Sequence, residues 1–166
     1  MFIPFNEISD QAKVWVYQMN REISAPEMEE MATAIETFCS QWQAHGEPLQ
    51  TSFDIAYNHF LILAVDENAS EASGCSVDGS VRVLKELGDR MEIDFFDRGQ
   101  AAFLINGKID LYSISKLKEL FNAGTLNASM NTFNNLVTTK ADYLQNWSVS
   151  VAESWLARYL PKSTLA

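Results

Sequence analysis

The sequence predicts an α+β protein with a ferredoxin-like split βαβ core (β-α-β-β-α-β), followed by an extra β-hairpin strand and a C-terminal helical extension. Three observations support this prediction. A β-branched and aromatic stretch precedes a long amphipathic stretch. The continuous apolar run Phe60 to Val65 is typical of a central strand covered on both faces. Asn106-Gly107, a strong tight-turn signal, separates two further apolar-patterned stretches.

The first strand and helix are predicted between residues 13 and 48. The strand, KVWVYQM, is rich in β-branched and aromatic residues. Ser24 and Glu27 have capping-box spacing at the start of the helix, and Gly46 and Pro48 close its far end. The apolar residues of this helix recur every three or four positions and predict its buried face: Met28, Met31, Ile35, Phe38, Cys39 and Trp42. Cys39 is therefore interpreted as a core residue.

A β-hairpin and a second helix follow. Residues 51–65 alternate through Phe53, Ile55 and Tyr57 and then become apolar, so we expect a hairpin that turns at residues 58–59. A second helix follows the loop 66–75 and ends near Gly88. In a split βαβ core both helices cover one face of the sheet. The other face must then be covered by the chain after residue 113 or by a second subunit.

The sequence of the C-terminal part predicts helices, and aromatic side chains that cover the sheet. Residues 113–124 indicate a short helix, and Ser150 with Glu153 has capping-box spacing for a terminal helix. We expect Trp147 and Trp155 to be buried, because aromatic side chains offer the largest apolar area in this part. Residues 1–166 are interpreted as a single domain, with a core at about 10–112 and an extension at 113–166 packed on it.

The charge of the chain argues against several classes of partner. Twelve basic and 22 acidic residues give a net charge of −10, which disfavours nucleic acids and anionic membrane surfaces. Residues 1–100 hold six basic and 18 acidic residues, and residues 101–166 hold six and four. The beginning of the sequence does not resemble a signal peptide, and no apolar run approaches the roughly 20 residues of a membrane span. We therefore expect a cytoplasmic protein whose two cysteines are free thiols.

A candidate catalytic site lies where the second helix begins. The predicted topology brings His45, Asp66 and Cys75 to one end of the domain and His59 to the other. A helix N-terminus lowers the pKa of a thiol, so Cys75 could act as a nucleophile, His45 as its base and Asp66 as the group that orients the imidazole. Asp78 and the overall acidic charge oppose a thiolate. The alternative interpretation is that Cys75 packs as a small apolar residue.

The same helix start could instead hold a small anion. Its backbone N–H groups and the residues Ser73, Gly74 and Ser76 would bind the anion. Lys140 could complete the pocket, because it is the only charged residue between positions 120 and 141. Alternatively, the Asn and Thr side chains of residues 133–140 bond an irregular backbone.

Metal and cofactor sites are not expected. The two histidines are predicted at opposite ends of the domain, and the carboxylates lack EF-hand spacing. The Gly107-Lys108 pair lacks the earlier glycine of a phosphate-binding loop.

Five stretches together resemble a family of small uncharacterised bacterial proteins: WQAHGEPL (42–49), FLILAVDE (60–67), SGCSVDGSV (73–81), DFFDR (94–98) and FNNLVTTKADYLQNW (133–147). The resemblance covers most of the chain. Members of that family are sometimes labelled "ABC transporter ATPase", but the phosphate-binding motif that such chemistry requires is not present in this sequence. The resemblance implies a bacterial, cytoplasmic setting and no mechanism.

Two functions from different classes follow from these observations. The first is a non-enzymatic domain that binds a protein partner or a small-molecule ligand, with a homodimer as one form. The alternative is a small cysteine-dependent enzyme that uses Cys75 with His45. A Cys75 sulfur within hydrogen-bond reach of His45 in an open cleft would favour the enzyme.

Overall fold

The computed structural model describes residues 1–44, 47–66 and 74–162, with the backbone alone at residues 44, 47–48 and 74–78. The described strands and α-helices are, in chain order, β1 Lys13–Gln18, α1 Ala25–Gln41, β2 Gln43–Ala44, β3 Glu47–Pro48, β4 Gln50–Ala56, β5 Phe60–Asp66, α2 Gly74–Met91, β6 Gln100–Ile105, β7 Lys108–Ser113, α3 Leu117–Asn122, β8 Asn131–Phe133, α4 Lys140–Asn146 and β9 Ser148–Ser150. Short 3₁₀ helices span Ile114–Lys116, Val151–Glu153 and Trp155–Tyr159. The protein is therefore mixed α+β, as predicted.

The first sheet has the antiparallel order β1-β5-β4. Its central strand, β5, pairs along its length with both neighbours. Lys13 of β1 lies opposite Val65, and Gln50 of β4 lies opposite Asp66. All residues from Phe60 to Val65 are buried. The prediction of a central strand with 13–18 as one neighbour is confirmed.

The strand order differs from the ferredoxin-like prediction at β6. That arrangement places the fourth strand beside β1, whereas β6 belongs to a second antiparallel sheet of order β7-β6-β8-β9. The outer edge of β1 instead meets residues 138–140: Val14 N–H donates to the Thr138 carbonyl over 3.0 Å. The physical reason is that residues 138–140 occupy the edge of β1, while β6 pairs with β7 and β8. In the second sheet β6 buries Ala101 and Phe103 on one face and Ala102 on the other.

Three apolar clusters stack the elements in four layers. The first joins α1 and α2 to one face of the first sheet, through residues such as Ile35, Leu63 and Leu84. The second joins the other face, at Phe60, Ile62 and Ala64, to Ala102, Ile109, Phe133 and Trp147. The third packs α3 and the C-terminal 3₁₀ helices on the outer face of the second sheet. The chain itself thus covers the first sheet, and residues before 113 contribute to that cover.

Local signals at α1 act as predicted. Ser24 Oγ accepts from Glu27 N–H, and Glu27 Oε1 accepts from Ser24 N–H over 2.9 Å, which completes the capping box. Arg21 Nη1 also donates to Glu27 Oε1 over 2.9 Å. The helix ends at Gln41, before the predicted Gly46, because Trp42 adopts an extended conformation and starts the β2–β3 hairpin.

Both predicted hairpins have turns with left-handed backbone, and the first turn begins one residue earlier than the predicted 58–59. Asn106 and Gly107 have φ of 53° and 78°, the left-handed conformation that a two-residue hairpin requires. The first hairpin turns over residues 57–59, and Tyr57 and Asn58 have φ of 53° and 58°. His59 is buried beside this turn, with Nδ1 3.3 Å from the Tyr57 carbonyl oxygen.

The C-terminal prediction is partly wrong. Ser150 makes no side-chain cap, and two 3₁₀ helices replace the expected α-helix. Ser154 separates them because its extended backbone breaks the helix and its hydroxyl accepts from Leu156 N–H. Trp147 is buried as predicted, but Trp155 is 42% exposed, and Leu156 is the residue that packs into the third cluster. Among the described residues, no helix is long and apolar enough to cross a membrane.

Candidate functional site

The predicted catalytic residues are only partly within the described structure. His45 lies outside the described residues. Cys75 lies in the first turn of α2, where the structure describes the backbone alone. Asp66 ends β5 opposite Gln50, at the end of the strand away from His59. The helix begins at Gly74, within two residues of the predicted start. The grouping of these residues stays a prediction.

The predicted anion site has one fully described member, Lys140. Ser73 lies outside the described residues, and the side chain of Ser76 is not described. The ammonium of Lys140 is buried, with Nζ donating to the Ile8 carbonyl over 2.8 Å and lying 3.8 Å from Asp10 Oδ1. It also lies 5.3 Å from the centre of the Phe5 ring. These contacts give Lys140 a structural role in holding the N-terminal segment.

Cys39 is a core residue, as predicted. It is a free, fully buried thiol whose Sγ lies 3.9 Å from the Ser52 carbonyl oxygen. Burial raises the pKa of this thiol to about 12, which keeps it protonated at neutral pH. Within the described residues, no group of three or more histidine, cysteine or carboxylate side chains could hold a metal ion.

The structure reveals an aromatic stack that the sequence reasoning missed. We call it the Trp147 cluster. The ring of Trp147 lies 4.4 Å from Phe133, 4.9 Å from Phe60, 5.0 Å from Tyr143 and 6.1 Å from Tyr57, measured between ring centres. These separations are typical of favourable aromatic pairs. The cluster joins β5, β8, α4 and the β4–β5 turn.

Three exposed apolar side chains lie in segments that contact or adjoin Trp147; we call these three residues the Trp147 surface. Tyr57 is 44% exposed while its ring contacts Trp147, Leu136 is 85% exposed, and Leu144 is 61% exposed. Leu136 follows Asn135, the hydrogen-bond partner of Trp147, and Leu144 lies one helical turn before Trp147. The segments that form the buried aromatic stack therefore also carry exposed apolar side chains.

Polar side chains fix the loop that carries Leu136. Trp147 Nε1 donates to Asn135 Oδ1 over 2.9 Å, and Asn135 Nδ2 donates to Gln18 Oε1 over 3.2 Å. Gln18 Nε2 in turn donates to the Gln100 carbonyl over 3.0 Å. This chain of bonds joins the two sheets and orders the loop that carries Leu136.

The Asn and Thr side chains of this region bond an irregular backbone, which agrees with the structural alternative for residues 133–140. Asn134 Oδ1 accepts from Leu136 N–H over 3.1 Å. Thr139 Oγ1 accepts from Asp142 N–H over 3.1 Å and caps α4. These bonds account for the composition of the segment without a ligand.

Tyr143 is a structural hydrogen-bond donor. Its hydroxyl donates to Asp54 Oδ2 over 3.0 Å. Burial, together with the nearby Asp54 charge, raises the pKa of Tyr143 above its ordinary value. The phenol is therefore neutral at physiological pH and does not supply a base or nucleophile.

Comparison with protein-family models, curated proteins and solved structures finds no match to this chain. The resemblance described from the five sequence stretches therefore stays a prediction.

Proposed function

We propose that this chain is a non-enzymatic binding domain that docks a protein partner through the Trp147 surface. The observation that carries the proposal is the exposed Tyr57 ring in contact with the buried Trp147 ring, with Leu136 and Leu144 exposed beside that cluster. Clustered exposed apolar side chains mark interaction sites on soluble proteins. Tyrosine is also among the side chains that contribute most to binding.

A protein partner is favoured over a small molecule by the high exposure of these side chains. Leu136 and Leu144 are mostly exposed, whereas small-molecule sites are concave and enclose their ligands. The groove between α1 and α2 is concave, but charged and polar side chains line much of it, and Arg90 Nε lies 3.3 Å from Glu30 Oε1 inside it. The exposed side chains of the Trp147 surface therefore suit a protein partner better than an enclosed small molecule.

The hydrogen bonds beneath the surface also support this function. A loop that is ordered before binding loses less conformational entropy when the partner docks. The Trp147–Asn135–Gln18 bonds provide that order. We further propose a cytoplasmic location, supported by the free thiol of Cys39.

Site-specific photo-cross-linking tests the proposed function. A photoreactive phenylalanine would replace Leu136 or Leu144 in the full chain, expressed in its source organism. The control position is Lys118, which is exposed on α3, in a different layer of the fold. We expect adducts to a protein from both surface positions and none from position 118. Absence of adducts from positions 136 and 144, in a chain shown to be folded, would disprove the proposed function.

A further inference from the structure

We propose that the outer edge of β4 is a second docking site, which takes an extended segment of another protein as an added β-strand. The inference goes beyond the proposed function, because it rests on backbone groups of Phe53 and Ile55 and needs neither Leu136 nor Leu144. A strand added in this way gains affinity from main-chain hydrogen bonds and specificity from its alternate side chains.

The direction of the β4 backbone groups follows from the pairing at Thr51. Thr51 N–H donates to the Met1 carbonyl over 2.9 Å, and the Thr51 carbonyl accepts from Ile3 N–H over 2.9 Å, on the side of β4 away from β5. In a strand the hydrogen-bonding direction alternates from one residue to the next. The N–H and C=O groups of Phe53 and Ile55 therefore also point away from β5, and those of the residues between them face β5.

These outward groups are unpaired within the part of the chain that the structure describes. No hydrogen bond from those residues reaches the N–H or C=O of Phe53 or Ile55. The N-terminal segment leaves the edge at Pro4, which has no N–H to continue the pairing and whose carbonyl accepts from Glu7 N–H over 2.9 Å. Unpaired backbone groups are rarely buried, and both β4 residues are only half-buried. The edge beyond Thr51 is therefore open to an added strand.

The side chains beside this edge fit apolar groups of an incoming strand. Those of Phe53 and Ile55 belong to the first apolar cluster, on the face of the sheet that packs against the helices. Phe2, on the segment that pairs at Thr51, already packs on Phe53 with ring centres 5.6 Å apart. A strand that continues along the edge places alternate side chains on this same face. We therefore expect the partner segment to carry apolar residues at alternate positions.

The charges along β4 distinguish its edge from the outer edge of β7. Edge strands often carry charged side chains that oppose further pairing. β7 follows this rule, since Lys108 and Asp110 are both exposed. In β4 the one charged residue is Asp54, whose carboxylate accepts from the Tyr143 hydroxyl over 3.0 Å. Its charge lies on the sheet face opposite the helices, so it does not oppose apolar side chains placed beside Phe53.

Amide hydrogen exchange of the full chain, measured by NMR, tests whether the edge is open. In the free protein the outward amides of Phe53 and Ile55 should exchange roughly tenfold or more faster than the inward amide of Asp54, which faces β5. Equal protection of the three amides would show that the edge is already closed and would overturn the inference.

Binding is tested with peptides selected on the full chain from a phage-displayed library of random octapeptides. The selected peptides should alternate apolar and polar residues, and they should slow exchange of the Phe53 and Ile55 amides by roughly tenfold or more. The amides of β7, an edge strand with exposed charges, are the matched control and should keep their exchange rates. The same peptides with an N-methyl group at every residue should not bind, because they have no N–H donors.

A variant pair tests the backbone from the side of the protein. Ile55→Pro removes one outward N–H and leaves the pairing with β5, because proline is tolerated on a strand edge whose N–H faces solvent. Ile55→Ala is the matched control, since both variants lose the isoleucine side chain. The proline variant should bind the selected peptides roughly three- to tenfold more weakly than the alanine variant. If Ile55→Pro does not fold, the N-methylated peptides supply the same comparison from the side of the partner.

Four results would overturn the inference: a library that yields no binding peptide, peptides that bind without protecting Phe53 and Ile55, N-methylated peptides that bind as well, or equal binding by the two variants. Protection that rises with protein concentration without peptide would place a second copy on the edge and overturn its assignment to another protein. Cross-links from positions 136 and 144 together with any of these results would keep the proposed function and remove only the β4 edge. Protected amides without such cross-links would keep the β4 edge and remove the Trp147 surface.

Discussion

The hydroxyl of Tyr143 in α4 donates a 3.0 Å hydrogen bond to Asp54 in β4, across 89 positions of sequence. The bond ties the C-terminal part of the chain to the first sheet. It also fixes one wall of the Trp147 cluster, because the Tyr143 and Trp147 rings are 5.0 Å apart.

Tyr143→Phe should lower the free energy of unfolding by about 1.5–3 kcal/mol, because it removes a hydrogen bond to a charged group. Urea denaturation would measure the change. Asp54→Asn is the matched control. Its amide oxygen can still accept from the phenol, so this variant should lose less free energy of unfolding. A Tyr143→Phe protein as stable as the wild type would show that the bond contributes nothing.

Two glycines of α2 should respond to alanine in opposite directions. A Cβ at Gly79 would meet no heavy atom within 4 Å, so Gly79→Ala should stabilise the protein by about 0.5–1 kcal/mol through helix propensity. A Cβ at Gly88 would lie 2.4 Å from the Ile93 carbonyl oxygen. Gly88→Ala should therefore destabilise the protein. Thermal unfolding would contradict this prediction if both substitutions shifted the melting temperature in the same direction.

The Arg21–Glu27 contact predicts a stability change at acid pH. The hydrogen bond from Arg21 lowers the pKa of Glu27 from 4.5 to about 2 in the folded state. A lowered carboxyl pKa contributes stability above the ordinary value, and this contribution is lost as the pH falls toward the folded-state value. Wild type should therefore exceed Glu27→Gln in stability at pH 6, and the difference should shrink between pH 4.5 and 2. A difference independent of pH would refute the assignment.

Lys140→Met should destabilise the protein by about 1–3 kcal/mol, because the buried Ile8 carbonyl loses its ammonium donor. Lys108→Met, at an exposed position in β7, is the control and should be nearly neutral. The same pair tests the predicted anion site. If Lys140 belongs to that site, inorganic phosphate should raise the melting temperature of wild type and Lys108→Met but not of Lys140→Met.

The cysteine-enzyme alternative predicts that the two thiols differ in reactivity. Cys39 is buried and has a pKa of about 12, so an alkylating reagent should modify it slowly in the folded protein. The cysteine-enzyme alternative requires Cys75 to react much faster at neutral pH. Mass spectrometry of both sites over time would decide. Equal, slow modification would remove the enzyme alternative.

Local chemistry explains which parts of the fold the sequence could predict. Ser24 with Glu27 and Asn106 with Gly107 act through bonds and backbone angles within a few residues. The position of β6 could not be predicted, because its apolar alternation fits either sheet and the choice depends on partners far along the chain, such as Thr132, whose Oγ1 donates to the Ala102 carbonyl. Ser150 failed as a cap because Ser154 breaks the following helix.

The Trp147 surface was missed for a similar reason. Alternation with Phe53 and Ile55 places Tyr57 on the face of β4 that packs against the helices. The strand ends at Ala56, however, and the positive φ of Tyr57 turns its ring toward Phe133 and Trp147 on the opposite side. A single backbone angle thus decides which side of the sheet the ring occupies. The residues 143 and 147, spaced by four in the sequence, were the available signal for the cluster.

The stacking of the second sheet on the first has a consequence during synthesis on the ribosome. The apolar face formed by Phe60, Ile62 and Ala64 is covered by residues as distant as Trp147. At about 5–20 residues per second, translation takes roughly 4–17 s to pass from β5 to Trp147. For that interval we expect the nascent chain to lack the part of this cover that Phe133 and Trp147 supply, and to be open there to chaperones that bind emerging polypeptides.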